Sequence, residues 1–232
     1  MFDLIFRVAA SLGAIAGLIY WFAYSWRDGD DWLRSMVKTV TLAPIALFWL
    51  ATSLMAGDAV WIMAAGLLLG VLGDYFLSRP GTGAFLAGMG AFGLGHLVYA
   101  VALFTRSADL GFAPFTGEHC WALLSLAALV LSTEFWLAPR TGALRWPVRA
   151  YVALIALMAI AAILLPPNAG TSDLQLGALL FLASDLLLAL RLFVVTTDRL
   201  KALLGAALWP AYVLGQLLIF WGSILFWTFP KG

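Results

Sequence analysis

The stretch Leu174–Val194, LQLGALLFLASDLLLALRLFV, decides the fold class of this chain. Its 21 residues are almost all apolar, and the charged residues among them are Asp185 and Arg191. At a rise of 1.5 Å per residue, an α-helix of this length extends about 30 Å, which matches the hydrocarbon core of a bilayer. The stretch therefore predicts a transmembrane helix that carries an acidic side chain about halfway along its length.

The composition of the whole chain also indicates a membrane-embedded protein. Of its 232 residues, 64% are hydrophobic and 11% are charged, and the mean hydropathy is +1.00, far from the values of soluble globular domains. Similar apolar runs recur from end to end, without the alternating pattern of barrel strands. The sequence predicts an all-α polytopic protein in which residues 1–232 form one domain of eight transmembrane helices with short loops. The predicted spans are 4–24, 36–54, 59–78, 84–104, 119–137, 148–165, 174–194 and 204–227.

The distribution of basic residues predicts the orientation of these helices. Ten lysines and arginines fall in or beside the first, third, fifth and seventh connections, whereas three, including Lys231, lie on the opposite side. Because cytoplasmic connections are enriched in basic residues, we expect both termini outside the cytoplasm and the protein in the cell (inner) membrane. The net charge of +1, without a basic stripe, argues against a nucleic-acid partner, and no protein partner can be inferred.

A small set of polar side chains lies inside the predicted spans or just within their ends. An ionised aspartate near mid-span costs about 3 kcal/mol on insertion scales, so it is expected to face a partner or a water-filled cavity. By depth, Asp185 and His96 lie near the middle of the membrane, and most of the others, including Asp74, lie in its cytoplasmic half. The set therefore predicts a polar pocket that opens to the cytoplasm and ends about halfway across. Its members are Lys38, Asp74, His96, Tyr99, Glu134, Tyr151, Asp185, Arg191, Tyr212 and Gln216.

Structural roles remain open for each of these side chains. The charged residues near span ends could snorkel into the lipid head groups, and the tyrosines could be interfacial anchors. His96 could make a buried interhelical hydrogen bond, and Asp74 could be a helix-end residue that pairs with Arg79. The presence of two such aspartates, Asp74 and Asp185, in a chain so poor in acids favours a functional role.

Five segments carry a family resemblance. They are GLLLGVLGDYFL (Gly66–Leu77), FLAGMGAFGLGHLVYAVALF (Phe85–Phe104), YVALIALM (Tyr151–Met158), GALLFLASDLLLALRLF (Gly177–Phe193) and YVLGQLLI (Tyr212–Ile219). In content and order they resemble the motifs of the YhhN and TMEM86 family of lysoplasmalogenases, from about Lys38 to the last span. The resemblance implies an eight-helix membrane hydrolase that cleaves the vinyl ether bond of lysoplasmalogens. The products would be a fatty aldehyde and glycerophosphoethanolamine or glycerophosphocholine.

The resemblance also implies the site residues. The family motifs fall on Gly73-Asp74, on His96 and Tyr99, on Ser184-Asp185, and on Tyr212 and Gln216. Two positions depart from the family pattern. Lys38 is followed by Thr39 where the family usually has proline, and Gly70 stands where the family often has serine.

The chemistry of vinyl ether cleavage fits a pair of carboxyl groups. Protonation of the β-carbon gives an oxocarbenium ion that water captures, so the site needs an acid, a nearby negative charge and water. Glycosidases use paired carboxyl groups around a similar transition state. We expect Asp185 to donate the proton and Asp74 to stabilise the charge or orient the water. His96 and Tyr99 would position the carboxyl groups or assist the collapse of the hemiacetal.

The other polar residues of the pocket are expected to bind the substrate. Lys38 and Arg191 at the cytoplasmic rim suit a lipid phosphate, and Tyr151, Tyr212 and Gln216 would contact the lysophospholipid. We expect no metal and no cofactor, and the bilayer is the second partner. A proton-coupled transporter or a lipid-binding membrane protein is the alternative, because intramembrane acids and histidines also build proton relays. The lack of an inverted repeat and the concentration of polar residues in one leaflet favour the enzyme.

Overall fold

A computed structural model describes residues 2–57, 60–112 and 115–228 of the chain. Within these ranges it contains nine α-helices and no strand, which confirms the all-α class. Ala59, which begins the third predicted span, and Lys231, which was counted for the orientation, lie outside the described residues. The helices are α1 (Phe2–Ala23), α2 (Trp32–Val40), α3 (Ala43–Ala56), α4 (Trp61–Leu77), α5 (Thr82–Leu110), α6 (Gly117–Trp136), α7 (Arg145–Ile163), α8 (Thr171–Ala189) and α9 (Asp198–Thr228).

Six of these helices are long and apolar enough to cross a membrane, namely α1, α5, α6, α7, α8 and α9. The pair α2 and α3 passes the same test as one unit, with a bend of 41° between its halves. Helix α4 is apolar, but its 17 residues rise only about 26 Å. The protein therefore has at least six candidate spans, and the count of eight stays a prediction.

The second predicted span, 36–54, is where the structure departs most from the sequence-based expectation. A two-residue break between Val40 and Ala43 divides it into α2 and α3. Pro44 in the first turn of α3 explains the break, because proline lacks an N–H and its ring would clash with the carbonyl group of Val40. The prediction of one continuous helix was wrong here, and Lys38 lies on the separate helix α2, which begins at Trp32.

Close helix contacts in the centre of the bundle depend on glycine. Gly66 of α4 lies against the ring of Tyr99 on α5, where a Cβ atom would overlap the ring. Between α8 and α9, a Cβ atom on Gly177 would lie 2.6 Å from the backbone nitrogen of Ile219. By contrast, α6 packs mainly on α7, and Leu126 is its one buried residue in the described chain. The bundle is thus tight around α4, α5, α8 and α9 and looser beside α6.

Candidate active site

Asp74 lies near the C-terminal end of α4 and is almost completely buried, with 1% of its surface exposed. The ammonium group of Lys38 on α2 lies 3.1 Å from Oδ1, and the hydroxyl group of Tyr212 on α9 donates to Oδ2 at 2.7 Å. The alternative pairing with Arg79 is not formed, because that guanidinium donates to Ser35 Oγ at 3.4 Å. Asp74 therefore joins three helices, and its buried charge is compensated by an ion pair and a hydrogen bond.

Asp185 lies on α8 among partners from two other helices. The hydroxyl group of Tyr151 on α7 donates to Oδ2 at 2.7 Å, and Nε2 of His96 on α5 lies 3.2 Å from the same oxygen. His96 is fully buried, and its Nδ1 lies 3.3 Å from the sulfur of Met158. Because an imidazole nitrogen donates or accepts according to its tautomer, His96 can hold either the ionised or the protonated carboxyl group in place.

Both aspartates line one cavity of about 240 Å³, which we call the polar chamber. The chamber is enclosed by residues of α2, α4, α5, α8 and α9, by the end of α1 and by the loop that follows it. Its charged and hydrogen-bonding side chains include Arg34, Lys38, Asp74, Asp185, Arg191 and Tyr212. The fold thus brings together, from distant parts of the sequence, five of the site residues that were expected to face one pocket.

A second cavity, of about 100 Å³, lies beside the first and is almost entirely apolar. This apolar chamber is formed by α5, α6, α7 and α8 with the end of α4, and it includes Tyr151. The two chambers share a wall made of Leu77, Phe85, Phe92, Asp185, Leu188 and Leu192. Among the described residues, Asp185 is the one polar side chain that lines both chambers. A carboxyl group therefore stands where a polar and an apolar compartment meet.

Tyr99 and Gln216 form a separate buried contact. The hydroxyl group of Tyr99 donates to Gln216 Oε1 at 2.8 Å, and both residues are almost fully buried. Neither residue lines the polar or the apolar chamber. The two expected site residues are therefore hydrogen-bonded to each other, away from both chambers. Tyr99 donates to Gln216 and not to an aspartate.

Arg191 and Glu134 each have a partner of opposite charge. Arg191 lies just after α8, and its Nη2 donates to Asp28 at 2.7 Å while its Nη1 donates to the carbonyl oxygen of Ser25 at 3.2 Å. Glu134 forms an ion pair with Arg149 of α7, and neither residue lines the polar chamber. Arg191 thus belongs to the chamber wall, where it joins the end of α8 to the loop after α1, whereas Glu134 lies elsewhere.

Arg34 is a chamber residue that the sequence analysis did not select. It was counted only as a basic residue beside the first connection, whereas the structure places it within α2 with 6% of its surface exposed. Its backbone N–H donates to the side chain of Asp31, the N-cap of α2, at 2.8 Å. The signal was present in the sequence, because an N-cap aspartate begins a helix on which Arg34 and Lys38, four residues apart, share one face.

The hydrogen bonds of the two aspartates suit proton transfer. In the described part of the chain, no three histidine, cysteine, aspartate or glutamate side chains lie together as a metal site would require. Instead, each aspartate accepts a hydrogen bond from a tyrosine, and one of them also lies beside an imidazole. Carboxyl groups with such partners are suited to general acid–base catalysis.

Comparisons with known proteins identify the family. Lysoplasmalogenase TMEM86A from Bos taurus is 29% identical over 208 residues, which cover 86% of this chain and 83% of the relative. A lysoplasmalogenase from Mycobacterium tuberculosis is 30% identical over 162 residues, which cover 68% of this chain and 58% of that protein. No solved structure matches the chain. The sequence model of the YhhN family matches residues 33–223, from the start of α2 into the last third of α9. The chain belongs to the YhhN family.

Proposed function

We propose that this protein is a membrane-embedded hydrolase that cleaves the vinyl ether bond of lysoplasmalogens. The observation that carries the proposal is the position of Asp185, whose carboxyl group lines both the polar and the apolar chamber. In a lysoplasmalogen, the vinyl ether joins the polar glycerophospho group to the apolar chain. A substrate with its head group in one chamber and its chain in the other would therefore present this bond to Asp185. Relatives named lysoplasmalogenase support the same substrate class.

The apolar chamber has an extension that suits a long hydrocarbon chain. A third cavity of about 480 Å³ lies between α6, α7 and α8, and it shares Leu129 and Leu182 with the apolar chamber. Because α6 packs loosely, it can shift to accommodate hydrocarbon chains of different length in these two cavities. The polar chamber holds the charged groups that a glycerophospho group requires.

In the proposed mechanism, Asp185 acts as the general acid. It transfers its proton to the β-carbon of the vinyl ether, and the resulting oxocarbenium ion is attacked by water at the adjacent carbon. The proton that water loses returns to the Asp185 carboxylate, so the acid is restored as the hemiacetal forms. Collapse of the hemiacetal breaks the bond between this carbon and the glycerol oxygen, which receives the hydroxyl proton, and releases a fatty aldehyde and glycerophosphoethanolamine or glycerophosphocholine. The overall reaction consumes one water molecule.

Asp74, His96 and Tyr151 would support this step. Asp74, which forms an ion pair with Lys38, would supply negative charge beside the cation and orient the water. His96 and Tyr151 hold the Asp185 carboxyl group in one orientation through contacts to a single oxygen. The other oxygen is then free to face the substrate.

Aldehyde release by the purified protein in detergent tests this function. Lysoplasmalogen is the substrate, and D185N and D74N are the variants, with D173N at the other end of α8 as the matched control. A general acid contributes about 100- to 10,000-fold to a rate, so we expect a loss of that size in D185N with unchanged thermal unfolding. Full activity of D185N would refute the acid pair. No aldehyde from the wild-type protein would refute the hydrolase and favour a transporter or lipid-binding protein.

We also propose the finer topology of a single domain with eight spans, in which α2 with α3 and the short α4 each count as one span. Both termini would lie outside the cytoplasm in the cell membrane. Cys120, an exposed free thiol near the start of α6, provides the test because it should lie on the outer side. A membrane-impermeant maleimide should label it in intact cells, whereas D30C in a C120S background should react only after permeabilisation. The opposite pattern would refute the orientation.

A further inference from the structure

The guanidinium group of Arg34 is a buried cation without an acidic partner. Arg34 has 6% of its surface exposed, and its Nη2 donates to the hydroxyl group of Tyr20 at 3.4 Å. The guanidinium carbon lies 5.7 Å from the centre of the same ring. Among the residues that the structure describes, no carboxylate oxygen lies within 4.0 Å of this group. The side-chain contacts that the structure shows for this guanidinium group are therefore with the aromatic residue Tyr20.

The other two cations of the polar chamber have carboxylate partners. Lys38 pairs with Asp74 at 3.1 Å, and Arg191 pairs with Asp28 at 2.7 Å. Lys38 also lies one turn from Arg34 on the same face of α2, so the two like charges repel each other. Within the described ranges, Arg34 is therefore the cation of the chamber that no ion pair neutralises. Because an unpaired buried charge is costly, such a residue indicates an anionic ligand.

We propose that Arg34 binds the phosphate group of the lysophospholipid substrate. This inference rests on the proposed function, because it names the residue that holds the head group of that substrate. The phosphodiester carries one negative charge, which would pair with the guanidinium group of Arg34. A guanidinium group can donate two parallel hydrogen bonds to such a group, and a lysine cannot. Arg34 lines the same cavity as Asp185, so phosphate binding there would leave the chain directed toward the shared wall.

Steady-state kinetics on two substrates test the role of Arg34. One substrate is lysoplasmalogen, and the other is 1-alkenylglycerol, which has the same vinyl ether but no phosphate. A lost charge-assisted hydrogen bond corresponds to about 10- to 100-fold, so R34Q should raise KM for lysoplasmalogen by that factor. Its kcat should change less than about two-fold, and R34K should recover part of the loss. R27Q, an exposed arginine in the loop after α1, is the matched control and should behave as the wild type.

The two substrates separate phosphate binding from a structural role. If Arg34 only supports Tyr20 and the fold, R34Q will lose activity equally on lysoplasmalogen and on 1-alkenylglycerol, and the proposal is overturned. An unchanged KM for lysoplasmalogen in R34Q overturns it as well. Retained turnover of 1-alkenylglycerol by R34Q shows that the variant is folded.

A binding measurement separates this proposal from the proposed function. A saturated 1-alkyl lysophospholipid cannot be hydrolysed by the vinyl ether route, and its effect on the thermal unfolding of the protein reports binding alone. It should stabilise the wild type more than 1-alkylglycerol does, and R34Q should abolish this difference. If the difference persists in R34Q, the Arg34 proposal fails even where the hydrolase is confirmed. If the wild type releases no aldehyde but R34Q abolishes the difference, the proposed function fails and the phosphate site stands. If inorganic phosphate stabilises the wild type as much as the 1-alkyl lysophospholipid does, the assignment to a lipid is overturned.

Discussion

The ion pair between Lys38 and Asp74 leads to a quantitative prediction about stability. Replacing Lys38 with methionine keeps an unbranched side chain, one atom shorter, and removes its charge. Asp74, with 1% of its surface exposed, then lacks its cationic partner and keeps only the hydrogen bond from Tyr212. A buried carboxylate in this position is strongly destabilising, unless the group takes up a proton.

Proton uptake sets the upper limit of the effect. A carboxyl group with an ordinary pKa near 3.9 costs about 1.4 kcal/mol per pH unit to protonate above that value, which is about 4 kcal/mol at pH 7 and about 1.5 kcal/mol at pH 5. For a chain of 232 residues, 1 kcal/mol corresponds to about 2–4 °C in Tm. K38M should therefore lower Tm by up to about 8–16 °C at pH 7 and about 3–6 °C at pH 5. The loss shrinks as the pH falls, because protonation of the unpaired group becomes cheaper.

Thermal unfolding of the purified protein in detergent, at both pH values, measures this effect. The double variant K38M/D74N has no unpaired charge, and its neutral amide can still accept the hydrogen bond from Tyr212. We therefore expect it to recover more than half of the Tm that K38M loses at pH 7. An equal loss in the single and double variants, or a loss in K38M that does not depend on pH, would show that the ion pair does not govern the stability of this region.

Three further predictions concern the acid, the packing and the chain path. Y151F removes the hydroxyl group that donates at 2.7 Å to the proposed acid, and we expect a fall of about 10-fold in kcat for aldehyde release with little change in Tm. G66A should lower Tm because its new methyl group would overlap the ring of Tyr99, whereas G90A, with nothing within 4 Å, should not; equal Tm values would contradict the close packing. L182W should narrow the apolar chamber and raise KM more for long alkenyl chains than for short ones. A chain-length profile identical to that of the wild type would place the chain elsewhere.

Sequence alone was sufficient for the fold class and for much of the helix pattern. Hydropathy is a local property, and a helix that crosses lipid must be apolar over its whole length, so six of the predicted spans correspond to long apolar helices. The break before Pro44 could also have been predicted from the sequence, since proline disrupts the helical turn that precedes it. It was missed because the apolar run continues through this position.

Sequence also identified Asp74 and Asp185 as the acids that needed an explanation, since a carboxyl group within an apolar span requires compensation. Their partners could not be read from the same pattern. Asp74 pairs with Lys38 and not with Arg79, although Arg79 is far closer along the chain. The break before α3 separates α2 from the rest of the predicted span. The position of α2 in the bundle then decides this pairing.

Only the tertiary structure decided where polar and apolar space meet. Asp185 lies on the wall between the two chambers because α8 packs against α9 on one side and leaves a gap toward α6 on the other. Arg34 lines the polar chamber for a similar reason, because its burial depends on neighbours from distant segments. Hydropathy and motif spacing determine which helices form and which polar groups enter the membrane. The packing of helix against helix decides which of those groups face one another, because it depends on contacts between residues that are far apart in the sequence.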